Sequence, residues 1–346
     1  MRAWQGVIAS RKSKTIKTIV NVASLIWSKV SSQYRKFVTN WLFWSLLTVV
    51  CYGASSTALG NATSDFNQHG AGPIISSGIA NVAVSVLMIA FSVIAMAITR
   101  QFERPKSWKD LMERIVLAFS QSFILGILTA ISKSVGVPVA IANSSTQTGS
   151  FFLIWSRLGK LGLVARVLAV STVIIVPLLL MLPSAAVASL PLGPVLGLVA
   201  AGVFIVGALR ARNSVLNTRL KESTSIYFIA FAMGIGSLIL DGSSVLLGLA
   251  LHLGKVPHVS GLSFIQLGIA ASLIALALIT DLKATHLGGK QRLVEINAIR
   301  SGTIIVAGLV DAAVFGSPLT LISVTCYLVL TYSLVTLTWV LSTGEK

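Results

Sequence analysis

The sequence predicts an all-α polytopic membrane protein, and three observations predict it. Of its 346 residues, 55% are hydrophobic and 11% charged, and mean hydropathy is +0.87, far from the balance of a soluble globular domain. Apolar runs recur that are long enough, at about 20 helical residues, to cross a hydrocarbon core about 30 Å thick. The 27 Lys and Arg against 10 Asp and Glu, a net charge of +17, cluster between those runs, as cytoplasmic loops do. Nucleic-acid binding would need a soluble basic face instead. Membrane lipid is therefore an expected partner and nucleic acid is not.

Taken in order, residues 1–38 carry Arg2, Arg11, Lys12, Lys14, Lys17, Lys29, Arg35 and Lys36 and no acid. They read as a basic amphipathic segment on an anionic membrane surface; no small-residue cleavage site follows an unbroken apolar core there, which disfavours a cleaved signal. Expected spans then run roughly 40–60, 73–98, 115–131, 168–183, 185–208, 226–252, 263–280 and 303–315, followed by the apolar stretch 320–341. The organisation expected is a first transmembrane repeat with linking helices over 39–209, a basic loop over 210–225 and a second repeat over 226–346.

Residues 134–156 differ from the other spans. Gly136, Pro138 and the polar run Asn143-Ser144-Ser145-Thr146-Gln147 interrupt them. Non-helical backbone at membrane depth needs protein or a watery cavity to satisfy it, so a re-entrant hairpin is preferred over an ordinary crossing.

Internal duplication supplies the expected architecture of two repeats, each with a Gly/Pro-interrupted hairpin. Gly136-Val-Pro138 returns as Gly316-Ser-Pro318, the Gly53 region returns near Gly234, and Gly78-Ile-Ala80 returns as Gly268-Ile-Ala270. Duplicated halves with broken apolar segments at matching places are what secondary transporters present, with the substrate site at the midplane between halves. An inverted relation is preferred. Charge argues the other way: if 134–156 is re-entrant, the second half flips and two basic loops land outside, whereas if it crosses, the N-terminus and loops 100–114, 210–221 and 281–300 can all be cytoplasmic.

Acidic groups within apolar spans are expensive and so become functional-site candidates. Asp241 lies among Ser237, Gly242, Ser243 and Ser244, and Asp311 lies seven residues before Pro318; each is read as a cation or proton coupling site, with Asp65 added by position. Ser55, Ser56 and Thr57 in the first half, Asn143, Ser144 and Ser145 in its hairpin, and Ser237, Thr320 and Ser323 in the second half form a repeated hydroxyl-rich set, read as substrate-binding. Hydroxyls and helix-end N–H groups can hold an anion without a lysine. Cys51 and Cys326 lie in apolar runs, and His69, His252, His258 and His286 are scattered, so no metal site or cofactor is expected. With no paired carboxylates and no His-Glu or Ser-His-Asp arrangement in the spans, an enzyme is not expected.

The layout resembles the PiT family of inorganic phosphate transporters. Gly53-Ala-Ser-Ser-Thr-Ala58 and Ala230-Phe-Ala-Met-Gly234-Ile-Gly-Ser237 are similar to its two signature helices, and Gly136-Val-Pro138 and Gly316-Ser-Pro318-Leu-Thr320 to the starts of its two hairpins. The resemblance implies symport of phosphate with sodium or protons across the cell membrane, with membrane-embedded acids coupling the cation. The family's Asn-Asp pairs stand here as Ser55-Ser56 and Gly236-Ser237. A transport-inactive scaffold or regulator retaining the fold is the alternative, and association into a homo-oligomer is left open.

Overall fold

The computed structural model describes residues 40–134, 167–168, 171, 205–220, 224–257, 261–316 and 320–343. The basic segment 1–38, the expected hairpin at 134–156 and most of the spans 168–183 and 185–208 lie outside them. Every described element is helical: α1 (Trp41–Gln68), α2 (Gly72–Thr99), α3 (Trp108–Ser134), α4 (Gly207–Leu220), α5 (Ile226–Ala250), α6 (Gly261–Gly288), a 3₁₀ turn at Lys290–Arg292, α7 (Leu293–Arg300), α8 (Thr303–Phe315) and α9 (Leu321–Thr343). Five stretches are long and apolar enough to cross a membrane, namely α1, α2, α5, α6 and Lys290–Val314. A 28-residue helix such as α1 measures about 42 Å at 1.5 Å per residue, more than the hydrocarbon core requires.

The helices bury many hydroxyls beside an apolar core and expose apolar side chains. α1 buries Ser45, Thr48, Ser55, Ser56 and Thr63 while Leu46 and Val50 are half-exposed; α2 buries Ser76, Ser77, Ser85 and Ser92 and exposes Val93, Ile94 and Ile98. Such apolar surface is a liability in water and ordinary in lipid. Most buried hydroxyls are satisfied by their own helix, as in Ser45 Oγ to the Trp41 carbonyl at 2.9 Å, Thr48 Oγ1 to the Trp44 carbonyl at 2.7 Å and Ser76 Oγ to the Gly72 carbonyl at 2.7 Å, so small polar side chains can face a neighbouring helix without an orphaned donor.

Antiparallel pairs organise the bundle. α1 lies along α6, joined by the Thr48–Thr280 hydroxyl pair at 2.9 Å towards one end and by Ser263 donating to Asp65 at the other. α2 lies along α5 with Gly78 against Val245 and Gly234 against Ser85 and Ile89. Where α1 turns into α2, Gly70 (φ +86°) and Gly72 (φ +71°) adopt the left-handed region, and the Gly70 carbonyl accepts from Lys255 N–H at 2.8 Å. A Cβ on Gly254 would lie 1.9 Å from the Ala71 carbonyl oxygen, so the two chain segments cross there only because glycine occupies both. α8 runs parallel to α1, with Gly53 against Val306 and Thr57 Oγ1 donating to the Ala307 carbonyl at 3.4 Å.

These directions correct two expectations. The segments equated by the duplication, α1 with α5 and α2 with α6, run the same way pairwise, so the inversion expected of them is not found among the described helices. The basic loop expected at 210–225 is helix α4 as far as Leu220. It packs antiparallel to α3, with Asn213 near Gln121 and Asn217 near Arg114, and the long Arg212 side chain also reaches Glu113. Consequently the start of α1, the connection 100–107, the end of α4 and the turn Lys290–Arg292 all lie at one end of the bundle.

Candidate functional site

Among the described residues, three adjoining cavities lie along the interior polar surface. The largest, about 90 Å³, lies between α1, α2, α3 and α6 and carries Ser55, Ser56 and Thr63 opposite Ser77 and Asn81, with Leu59, Ala80, Val84, Leu125 and Ile274 as apolar wall. A second of about 40 Å³ holds Ser237 and Asp241, and a third of about 30 Å³ holds Arg114, Arg210, Arg300 and Asp281. Gln121 and Leu278 line all three; Tyr52 and Arg210 are shared by the first and third, Asn81 by the first and second, and Arg114 by the second and third. One water needs roughly 10–15 Å³ of such space, so the smallest admits about two waters and the largest about six or more.

Asp241 is fully buried on α5, one turn after Ser237 and hence on the same face. Asn81 Nδ2 of α2 donates to Asp241 Oδ1 at 3.1 Å, while Asp241 Oδ2 has no hydrogen-bond partner among the described residues. Ser244 Oγ donates to the Asp241 backbone carbonyl at 2.7 Å, leaving the carboxylate free of that hydroxyl. A buried carboxylate with one open oxygen facing a water-sized space can take up a proton or a small cation, either of which removes its desolvation cost.

The third cavity gathers the strongest charges. Arg114, Arg210 and Arg300 are 4%, 9% and 4% exposed. Arg300 makes the most contacts: Nη1 donates to Ser214 Oγ at 3.0 Å and Asn297 Oδ1 at 3.1 Å, Nη2 donates to Thr285 Oγ1 at 2.9 Å, and the guanidinium pairs with Asp281, leaving only Nε without a partner among the described residues. Arg114 donates through Nε to Asn217 Oδ1 at 2.7 Å, but its Nη1 has no partner among the described residues. Arg210 lies 5.5 Å over the Tyr52 ring, and its Nε and Nη1 are both without partners among the described residues. Asp281 is the acid lining this cavity among the described residues, so one carboxylate faces three guanidiniums and the cavity keeps a net positive charge. Chemically that is an anion site: fixed donors, net positive charge and little water to compete.

Several residues expected from sequence meet here and others do not. Ser55 and Ser56 line the large cavity, with their hydroxyls donating to the Tyr52 and Gly53 carbonyls at 3.0 and 2.9 Å; Ser237 and Asp241 share the second. Thr57 instead faces α8. Asp65 sits at the end of α1 with Ser263 and His69, where it ties helix ends together. Asp311 is half-buried on α8. Thr320 and Ser323 are at the start of α9, where the Thr320 hydroxyl accepts from Ser323 N–H at 3.1 Å as a cap; neither lines these cavities. Asn143, Ser144 and Ser145 lie outside the described residues. The arginines were missed because each sat at the edge of a stretch read as a basic loop. A signal existed: Arg210, Asn213, Ser214 and Asn217 repeat at three- and four-residue spacing, one polar face of a helix.

No protein-family profile matches the chain, and no curated protein matches its sequence. Among solved structures, a crystal structure described simply as that of a protein is similar with a TM-score of 0.60 at 15% identity, over 88% of this chain and 99% of that one. That likeness concerns the fold alone: the chain shares its helical architecture with a protein of nearly the same extent.

Proposed function

We propose that the chain is a cation-coupled secondary transporter of inorganic phosphate or a related small oxyanion. The observation that carries this reading is the pair of buried guanidiniums, Arg114 and Arg210, that keep N–H groups without partners among the described residues, in an interior space adjoining the half-satisfied carboxylate of Asp241. Buried unpaired charge in a membrane bundle is too costly to keep for packing alone. The resemblance of the Gly53 and Gly234 helices to phosphate-transporter signatures supports phosphate as the first anion to test.

An oxyanion would exchange its hydration for the guanidinium N–H groups and neighbouring amides and hydroxyls, while the helices on either side rock about the site. The membrane potential opposes an anion moving into a negative interior by about 2.3 kcal/mol per charge per 100 mV, so uphill uptake needs a co-transported cation. Asp241 is where a proton or sodium ion would bind. The test is uptake of labelled phosphate into proteoliposomes under sodium or proton gradients, wild type against Asp241→Asn. Gradient-driven uptake that the variant loses supports the reading. No uptake under any gradient, by folded protein, would replace it with that of an inert scaffold.

A further inference from the structure

The two cavities that meet at Arg210 differ in kind. The arginine cavity, about 30 Å³, admits little more than a headgroup, whereas the adjoining one is about three times larger and has no charge on its walls apart from Arg210. A bare tetrahedral oxyanion on Arg114 and Arg210 would leave the larger space to water, against a wall that includes Leu59, Ala80, Val84 and Ile274. That same wall carries Ser77, 1% exposed, whose hydroxyl has no hydrogen-bond partner among the described residues. Apolar side chains interleaved with hydroxyls and the Asn81 amide suit a short body that alternates C–H and O–H groups.

We propose that Arg114 and Arg210 hold the doubly charged headgroup of a small hydroxylated organic phosphate, and that its carbon body lies in the larger cavity between Ser77, Ala80 and Ile274. Three guanidiniums against the one carboxylate of Asp281 leave this cavity a surplus of positive charge that suits a phosphomonoester dianion, and the guanidinium of Arg210 at the junction is placed to reach a headgroup oxygen. Tyr52 and Gln121, which also line both cavities, bound the neck through which headgroup and body would join. This inference rests on the oxyanion reading above and narrows its substrate class.

The experiment is a binding titration of purified full-length protein with glycerol 3-phosphate, inorganic phosphate and glycerol, read by the rise in melting temperature. The ester should bind roughly tenfold or more tightly than phosphate, the return on burying about two carbons, and glycerol should not bind measurably. Ala80→Leu, which fills the larger cavity, should shrink the ratio of ester to phosphate affinity towards one; Ser77→Ala, which keeps the volume, should shrink it partly. Equal affinity for phosphate and ester in the wild type, or exclusion of the ester, would overturn the inference while leaving an oxyanion carrier in place. A protein responding to neither anion would overturn both.

Discussion

At the scale of single residues, the buried Arg300 and Arg210 should behave oppositely on substitution, because their surroundings differ and not their type. Arg300 holds α4, α6 and α7 together through Ser214, Thr285, Asn297 and Asp281. Removing one member of a buried ion pair strands the other, at about 3–5 kcal/mol, so Arg300→Ala should lower the melting temperature sharply and reduce yield. Arg210→Gln removes a charge whose Nε and Nη1 have no hydrogen-bond partner among the described residues. Its stacking on Tyr52 is worth about 0.5–2 kcal/mol, less than the several kcal/mol that desolvating an unpaired ion costs. The variant should therefore melt at the same temperature as wild type or higher while losing the anion-induced rise. A destabilised Arg210→Gln would show that the residue is structural. Chemistry of this kind is poorly legible in a sequence, which shows a basic residue at the edge of an apolar run but not that the run's neighbours fold over it.

At the scale of elements, the α2–α5 contact decides where Asp241 sits. A Cβ on Gly78 would lie 2.4 Å from Val245 Cγ2, 3.3 Å from Ser244 Oγ and 3.4 Å from the Asp241 carbonyl. Gly78→Leu should thus wedge the helices apart, costing about 1–3 kcal/mol as overpacking and pulling Asp241 from Asn81. Gly242, one residue beyond Asp241, has nothing within 4 Å of its would-be Cβ; Gly242→Ala should stabilise α5 by about 0.5–1 kcal/mol. Thermal denaturation of the two variants side by side checks the pair, and comparable losses in both would mean that the close approach at Gly78 does not hold the interface. Helix existence was legible from hydropathy, and the expected spans 73–98, 226–252 and 263–280 overlap α2, α5 and α6 closely. Partner choice was not: α1 against α6 and α2 against α5 rests on small residues spread over 200 positions, whose packing leaves no periodic signal. Asp241 was legible because a carboxylate in an apolar run is costly wherever the helix is placed, while Thr320 and Ser323 misled because a helix cap and a binding hydroxyl look alike in sequence.

At the scale of the whole molecule, the basic residues of the described helix ends fall mainly at one end. Arg100, Arg104, Lys106 and Lys109 near the start of α3, Arg219 near the end of α4, and Lys290 and Arg292 after α6 share the end at which α1 begins, whereas Lys133 and Lys255 lie towards the other. Sequence left two orientations of the second half open, one of which stranded two basic loops outside. The antiparallel packing of α4 on α3, with α5 antiparallel to α2, removes that conflict, because the connection 100–107, the end of α4 and the turn Lys290–Arg292 come to one side together. Translocating Lys and Arg in short connections is disfavoured, so this end should face the cytoplasm. Arg114 and Arg210 would then lie nearer the cytoplasmic mouth, and Asp65 at the far one. The check is labelling of intact cells by a membrane-impermeant maleimide, in protein carrying Cys51→Ser and Cys326→Ser with either Lys106→Cys or Lys255→Cys. Both positions are exposed. Lys255→Cys should react in intact cells, and Lys106→Cys only after permeabilisation. The reverse pattern would invert the molecule in its membrane and place the arginine cavity on the outer side, so that an anion would first meet Arg210 from outside.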